Sequence, residues 1–167
     1  MPMVVDLPAP LGPRNATTSP GWIVRSSPST ARISVDVGSV ADFSALAAAV
    51  GQGGFTQAQA YRVRTGDLEL QAGQTVRAQD IAIAADGGDI RVAGTLDASG
   101  AKGGRVSVHA SGDLTLASGA RISVQATDAT KNGGTVELGS SDGVLDLQEG
   151  STIAAQGAES KSIKDSM

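Results

Sequence analysis

One eleven-residue pattern recurs along this chain and constrains its fold more than any other feature. Residues 112–122 (GDLTLASGARI) contain a short alternating stretch, a glycine and a further apolar residue, and residues 66–76 (GDLELQAGQTV) have the same spacing. Residues 145–153 repeat the pattern, and residues 89–96 are a copy that is one residue shorter before its glycine. A unit that returns every 20 to 30 residues is typical of a solenoid, in which each unit buries its apolar side against its neighbours.

A second kind of strand follows a pair of glycines. Residues 103–108 (GGRVSV) and 133–138 (GGTVEL) stand thirty residues apart, and residues 79–83 (QDIAI) are an earlier version without the glycines. A third short strand at residues 121–124 closes the unit. Because apolar and polar residues alternate in all three, the predicted fold class is all-β: a parallel β-helix, or β-solenoid, of about three to four coils with one short flanking helix.

The same alternation predicts which side chains line the core. The inward set is aliphatic and occupies every second strand position: Leu68, Leu70, Ile81, Ile83, Ile90, Val92, Val106, Val108, Leu114, Leu116, Ile122, Val124, Val136, Leu138, Leu145, Leu147 and Ile153. The polar alternates are expected to face water: Glu69, Arg91, Ser107, Thr115, Ser123, Glu137 and Asp146. Equivalent strands of successive coils are expected to pair in parallel, about 4.8 Å apart.

The composition fits a thin core of stacked aliphatic rows. Aromatic residues make up only 2% of the chain, so the apolar fraction of 40% comes from Ala, Val, Leu and Ile. The formal charge of −4 argues against a nucleic-acid partner, which would require a basic surface. No run of about 18 apolar residues encodes a transmembrane helix.

The sequence divides into four segments. Residues 1–31 hold all six prolines and are expected to form a disordered leader without the basic and apolar regions of a signal peptide. Residues 32–64 are a strand plus a short helical lead-in, residues 65–160 are the parallel β-helix repeats, and residues 161–167 are a frayed tail. Since no further Gly-Gly strand begins near the end, we expect an internal fragment of a longer array whose last coil leaves a bare edge, open to end-to-end self-association.

Within the lead-in, a helix is predicted over residues 40–50. Ser39 is the expected N-cap and Gly51 the expected C-terminal stop. One apolar face is expected to lie against the end or side of the solenoid: Phe43, Leu46, Ala47 and Val50. Phe55 and Tyr61 are expected to be packing anchors for the connection that follows.

The sequence offers little catalytic or metal-binding chemistry. His109 is the only histidine, so no second one can complete a catalytic pair or a metal cluster, and a surface or turn position is expected for it. Asp67, Asp89 and Asp113 each precede the first inward residue of their unit, which predicts a column of turn carboxylates that accept backbone N–H groups. Residues 86–89 (DGGD) lack the pattern of calcium-binding β-rolls. We therefore predict a chain that is not an enzyme and has no catalytic, cofactor or metal site.

Two polar segments of unequal length fall at the same corner of the predicted prism. Residues 97–102 (DASGAK) fill it in one coil and residues 125–132 (QATDATKN) fill it in the next. Loops that vary on a regular scaffold are where binding residues concentrate. This corner is therefore the first candidate for a binding surface.

Three stretches of the chain resemble the filamentous haemagglutinin-type large exoproteins, the secreted partners of two-partner secretion systems in Gram-negative bacteria. They are residues 61–70 (YRVRTGDLEL), 93–100 (AGTLDASG) and 143–153 (GVLDLQEGSTI), and the likeness extends over residues 32–157. The resemblance implies a right-handed parallel β-helix that is secreted or displayed at the cell surface through an outer-membrane secretion partner. The chain departs from the family in having no recognisable signal peptide or secretion domain at its start.

The function that the resemblance implies is structural. The chain would be a shaft segment of a surface or secreted adhesin, holding adhesive regions away from the cell and contacting glycans or proteins of a host or neighbouring cell. Two alternatives stay open: a polysaccharide-active β-helix enzyme, since such enzymes place carboxylates on stacked strands, and a non-exported remnant of an exoprotein gene.

Overall fold

The computed structural model describes residues 23–27 and 32–157, which form short strands and one helix. The strands are β1 (Ile23–Ser27), β2 (Arg32–Val37), β3 (Ala58–Val63), β4 (Leu68–Leu70), β5 (Thr75–Arg77), β6 (Asp80–Ala85), β7 (Ile90–Val92), β8 (Thr95–Asp97), β9 (Arg105–Ala110), β10 (Leu114–Leu116), β11 (Arg121–Ser123), β12 (Thr135–Ser140), β13 (Leu145–Leu147) and β14 (Thr152–Ala154). The helix, α1, spans Phe43–Gln52 and lies between β2 and β3. None of the helical structure in the described residues is long and apolar enough to cross a membrane.

The strands stack into three sheets that run the length of the molecule. Sheet A has the order β1-β2-β3-β6-β9-β12, sheet B has the order β4-β7-β10-β13, and sheet C has the order β5-β8-β11-β14. All pairings are parallel except that of β1 with β2. Each turn of the chain contributes one strand to each sheet, giving coil 1 (β3–β5), coil 2 (β6–β8), coil 3 (β9–β11) and coil 4 (β12–β14). The predicted all-β parallel solenoid, its coil count and its flanking helix are confirmed.

The apolar rows form one continuous core along the axis. Leu68, Ile90, Leu114 and Leu145 follow one another in register up sheet B. Of the predicted inward residues, all from Leu68 to Val124 are buried, Val136 and Leu138 are partly buried, and those of β13 and β14 are exposed. The exposure in coil 4 has a simple cause, since it is the last coil of the described stack.

The predicted water-facing positions are correct with one exception. Ser123 is buried, with 5% of its surface exposed. Its hydroxyl donates a hydrogen bond to Oε1 of Gln125 (3.4 Å), in the corner segment that follows β11, instead of facing water. Alternation stops here because β11 ends at Ser123, and both its neighbours, Ile122 and Val124, are buried as well.

The helix begins and ends later than predicted. Its N-cap is Asp42, whose Oδ1 accepts a hydrogen bond from the Ala45 amide (2.9 Å), so the predicted Ser39 cap is wrong. Gly51 lies inside the helix, and the chain leaves it through Gly53 and then Gly54, which has a φ of 76° that glycine adopts without strain.

The predicted apolar face of α1 is confirmed, because Phe43, Leu46, Ala47 and Val50 are all buried. The helix packs on β4 and β5, the first strands of sheets B and C, and so covers one end of the solenoid. Phe43 meets Tyr61 edge-to-face, with ring centroids 5.1 Å apart. Tyr61 is buried and Phe55 packs against the core from a partly buried position, as expected for packing anchors.

The predicted leader needs one correction. Within residues 1–31, Ile23–Ser27 form β1, which pairs antiparallel with β2 and extends sheet A. The seven residues between the prolines at 20 and 28 include all of β1 and no proline, so β1 can supply ladder hydrogen bonds. The rest of the predicted leader, the last residues of the predicted repeats (158–160) and the predicted tail (161–167) lie outside the described residues.

Candidate functional site

The predicted aspartate column exists and joins successive coils at the corner between sheets A and B. Oδ1 of Asp67 accepts a hydrogen bond from the backbone N–H of Asp89 (3.0 Å), and Oδ1 of Asp89 accepts one from the N–H of Asp113 (2.8 Å). Oδ1 of Asp113 accepts one from the N–H of Val144 (2.8 Å). Each carboxylate therefore satisfies the amide of the equivalent residue one coil further on. These bonds span 22, 24 and 31 residues of sequence, so the coils lengthen along the axis.

A glycine precedes each receiving amide because the carboxylate or the backbone of the previous coil fills the space of its missing side chain. A Cβ built on Gly88 would collide with the Gly66 carbonyl and would lie 2.9 Å from Oδ1 of Asp67. A Cβ on Gly112 would collide with Oδ1 of Asp89, and one on Gly143 would collide with Oδ1 of Asp113. The recurrent Gly-Asp dipeptide thus joins neighbouring coils in two ways. The aspartate accepts a hydrogen bond from the next coil, and the glycine leaves space for the coil before it. The sequence predicted the aspartates' role, but the glycines' role depends on contacts between residues more than 20 positions apart.

Val144 occupies the position that holds aspartate in the three preceding coils. Its side chain is 64% exposed, and its amide receives the last bond of the column. Valine offers no acceptor for a following amide. The column therefore has three carboxylates, each engaged with backbone, and the arrangement has the geometry of a turn brace.

His109 lies on the outer face of sheet A, as expected for a surface residue. It is exposed at the fifth position of β9, and its ring covers Gly139 of β12, where a Cβ would lie 2.7 Å from Nδ1. With Asp86, Ser111 and Asp142 it borders an open groove of about 370 Å³. Ser111 donates a long hydrogen bond to Asp142 there (3.4 Å).

The variable corner lies between sheets C and A, where the sequence placed it. Here the two segments stack on each other: Gly100 pairs with Ala126, and the Thr127 amide donates to the Gly100 carbonyl (2.8 Å). Further out, both the amide and the hydroxyl of Thr130 donate to Oδ1 of Asp128 (2.8 and 2.7 Å). These two bonds lower the pKa of the Asp128 carboxyl below its usual value. The corner is thus internally bonded, with exposed polar side chains on its outer surface.

The double glycines close this corner by allowing two coils to touch backbone to backbone. A Cβ on Gly134 would collide with the carbonyl of Gly104, and a Cβ on Gly103 would collide with the amide of Gly134. The amide of Gly134 then donates to the Val124 carbonyl (2.7 Å) as the chain enters β12. The sequence showed that these glycines recur, whereas the reason for them is this close approach.

Within the part of the chain that the structure describes, five ion pairs lie on the surface, and each joins neighbouring coils or joins coil 1 to β2. They are Arg62–Asp86 (2.8 Å), Arg64–Asp36 (3.0 Å), Arg77–Asp97 (3.6 Å), Arg91–Glu69 (3.6 Å) and Arg105–Glu137. The hydrogen bonds from Arg64 hold the pKa of Asp36 below its usual value, and the pKa of Arg64 is raised in turn. Each exposed pair of this kind contributes little to stability, but the pairs place opposite charges next to each other on adjacent coils.

A buried polar pair lies at the helix-covered end and was not predicted. Gln59 is 1% exposed and points inward from β3, where the sequence pattern calls for an apolar residue. Its Nε2 donates to the carbonyls of Phe55 (2.8 Å) and Arg77 (3.0 Å), and its Oε1 accepts from the Tyr61 hydroxyl (2.8 Å). Burial raises the pKa of that hydroxyl. The pair is fully bonded and braces the first coil where the loop from α1 enters it.

No family model, curated protein or solved structure matches the chain. Among the described residues there is no cluster of three or more His, Cys, Asp or Glu side chains placed to hold a metal ion. The candidate site is therefore defined by geometry alone. It consists of the aspartate column, the variable corner and the outer face of sheet A.

Proposed function

We propose that the chain is a structural shaft segment of a bacterial surface or secreted adhesin. Its coils hold adhesive regions of the parent exoprotein away from the cell, and the proposed mode of action is mechanical, without catalysis. The resemblance to filamentous haemagglutinin-type exoproteins supports this assignment, and it implies export through an outer-membrane secretion partner.

The observation that carries the proposal is that the polar side chains of one coil bind groups of the next coil. The column carboxylates of Asp67, Asp89 and Asp113 bind the backbone of the next coil. The surface ion pairs also run from one part of the stack to the next. Both sets of contacts run along the axis, the direction in which a shaft must resist extension. A catalytic carboxylate pair would instead converge on an open site.

A shaft needs length, and repeated coils of similar sequence add length along the axis. Each coil adds about 4.8 Å along the axis through parallel pairing. Coils of different length are tolerated because extra residues are placed in the corner between sheets C and A, as at residues 125–132, without disturbing the strand register. Variation at this corner can change the surface while the shaft stays continuous.

The proposal is tested by placing the chain between an outer-membrane anchor and a small binding module on a Gram-negative cell. We expect cells with the wild-type chain to capture the module's ligand after limited proteolysis, and cells with Leu116→Asp to lose capture under the same digestion. An uncompensated charge at a fully buried position unfolds the coils and exposes them to the protease. Replacing residues 125–132 by the shorter corner of coil 2 should leave capture unchanged. Loss of capture in that corner variant, with the fold intact, would contradict a spacer role.

The purified chain provides the second arm of this test. Incubation with acidic and neutral polysaccharides should release no new reducing ends. Cleavage that disappears in the double variant Asp89→Ala/Asp113→Ala would show that the column is catalytic and would overturn the structural assignment.

A further inference from the structure

The variable corner contains an Asn-Gly dipeptide, Asn132-Gly133, where the chain passes from coil 3 to coil 4. Asparagine is a thermolabile residue, because the backbone nitrogen of the following residue can attack its side-chain amide. Glycine in the following position hinders this attack least, since it has no Cβ and adopts the widest range of backbone angles. The only other asparagine, Asn15, is followed by Ala16. The dipeptide at the corner is therefore the more reactive of the two.

The structure leaves both reacting groups accessible. Asn132 is exposed and lies outside the strands, so its side chain is free to change rotamer. The attacking nitrogen belongs to Gly133, and its N–H donates to no backbone carbonyl within residues 23–27 and 32–157. Ring closure consumes this N–H, so it breaks no backbone hydrogen bond in the described structure.

The far end of β12 offers a contrast. Asp142 and Gly143 follow that strand, and the Gly143 amide donates a hydrogen bond to the Ser140 hydroxyl (3.0 Å). An asparagine in place of Asp142 would have to break this bond before the Gly143 nitrogen could react. The two ends of β12 therefore differ in how firmly the attacking amide is held.

Packing requires the glycine of the dipeptide but does not require the asparagine. A Cβ on Gly133 would collide with the carbonyl of Ala155 in coil 4, so a side chain does not fit there. One coil earlier the equivalent glycine is Gly103, and the residue before it is Lys102. Because lysine serves at that position, the corner can be built without asparagine.

We propose that Asn132 is a site of spontaneous deamidation, which alters the connection between coils 3 and 4. The Gly133 nitrogen forms a bond to Cγ of Asn132 while the bond from Cγ to Nδ2 breaks. The side-chain nitrogen leaves as ammonia and takes up the proton of the Gly133 amide. Water then opens the resulting succinimide at either carbonyl, which gives aspartate or isoaspartate. Water is the only co-reactant.

The isoaspartate product changes the main chain at a closely packed point. Its backbone runs through Cγ, which adds one carbon before Gly133, and the former Asn132 carbonyl becomes a free carboxylate. In the unmodified chain that carbonyl accepts a hydrogen bond from the Gly103 amide (3.3 Å). The Gly133 backbone also lies against the Ala155 carbonyl, with no room for a side chain between them. Isoaspartate therefore loosens the corner, while the strands of coils 1 to 3 keep their register.

The test follows the folded full chain during incubation in mildly alkaline buffer. Peptide mass spectrometry and isoaspartyl methyltransferase labelling should show conversion at position 132, with isoaspartate as the main product. The variant Asp142→Asn carries a second Asn-Gly pair, and position 142 should convert about fivefold more slowly than position 132, the factor for one hydrogen bond. In urea the two positions should convert at similar rates, because the fold no longer holds the Gly143 amide.

Hydrogen exchange measures the structural consequence. Exchange at Gly103 and at the start of β12 should quicken as isoaspartate accumulates, whereas exchange in β7 and β10 should stay unchanged. The matched control is Asn132→Lys, which uses the residue of the preceding coil and should keep slow exchange throughout the incubation. Three outcomes would overturn the proposal: conversion at position 132 in urea but not in the folded chain, equal rates at positions 132 and 142 in the folded variant, or equally quickened exchange in Asn132→Lys.

Discussion

At the scale of single residues, the stack is built from contacts that repeat once per coil. The pairing of an aspartate with the glycine that precedes the next aspartate serves two purposes. Asp89 supplies an acceptor for the Asp113 amide, and Gly112 leaves the space that the carboxylate needs. Neither residue performs its role alone, so their effects on stability should be coupled.

We predict this coupling in a double-mutant cycle of Asp89→Ala and Gly112→Ala. Asp89→Ala should cost about 1 kcal/mol through the lost hydrogen bond. Gly112→Ala should cost about 1–3 kcal/mol in the wild type, because its Cβ would collide with the carboxylate, and clearly less once the carboxylate is gone. Urea unfolding measures both. Gly38→Ala is the control, since a Cβ there would meet nothing within 4 Å. Additive losses in the free energy of unfolding would argue against coupling between the carboxylate and the glycine.

At the scale of elements, three-residue strands suffice for sheets B and C because the inner strands β7, β8, β10 and β11 are each paired on both sides by neighbouring coils. The chain turns between sheets B and C through Gly119 in coil 3, with a φ of 85°, and through its equivalents Gly73 and Gly150. Coil 2 makes the same turn with fewer residues and a buried Gly94, which explains the shorter copy in the sequence. Strand register therefore stays constant while turn length varies.

The helix cap gives a prediction at this scale. Asp42→Ala should lower the free energy of unfolding by about 0.5–2 kcal/mol, because the carboxylate caps the Ala45 amide at the start of α1. Ser39→Ala should have little effect, since Ser39 lies outside the helix. Thermal or urea unfolding distinguishes the two variants. Equal losses would place the helix start at Ser39 instead.

Much of the fold follows from the sequence because its information is local and periodic. Alternation in residues such as Leu114, Thr115 and Leu116 identifies strands and their buried faces directly. The helix start was missed because Ser39 and Asp42 are both good caps, and it is the Asp42 side chain that accepts the Ala45 amide. Gln59 was missed because its partners are the Phe55 and Arg77 carbonyls and the Tyr61 hydroxyl, and a period of two carries no sign of them.

At the scale of the whole molecule, the described coils stack along one axis. In residues 23–27 and 32–157, long-range order comes from repetition of similar contacts between adjacent coils, such as the hydrogen bonds of the aspartate column. A helix covers one end, whereas the other presents three edges and an apolar surface.

The central claim is that coils stack in the described parallel register, and the absence of cysteine makes it directly testable. Arg91 and Thr115 are partners on neighbouring strands β7 and β10, whereas Glu69 lies one strand further away on β4. Partners about 4.8 Å apart fall within disulfide range, and positions about twice as far apart do not. Under mild oxidation we predict that Arg91→Cys/Thr115→Cys forms an intramolecular disulfide and that Glu69→Cys/Thr115→Cys does not. Cross-linking of the second pair in preference to the first would contradict the account.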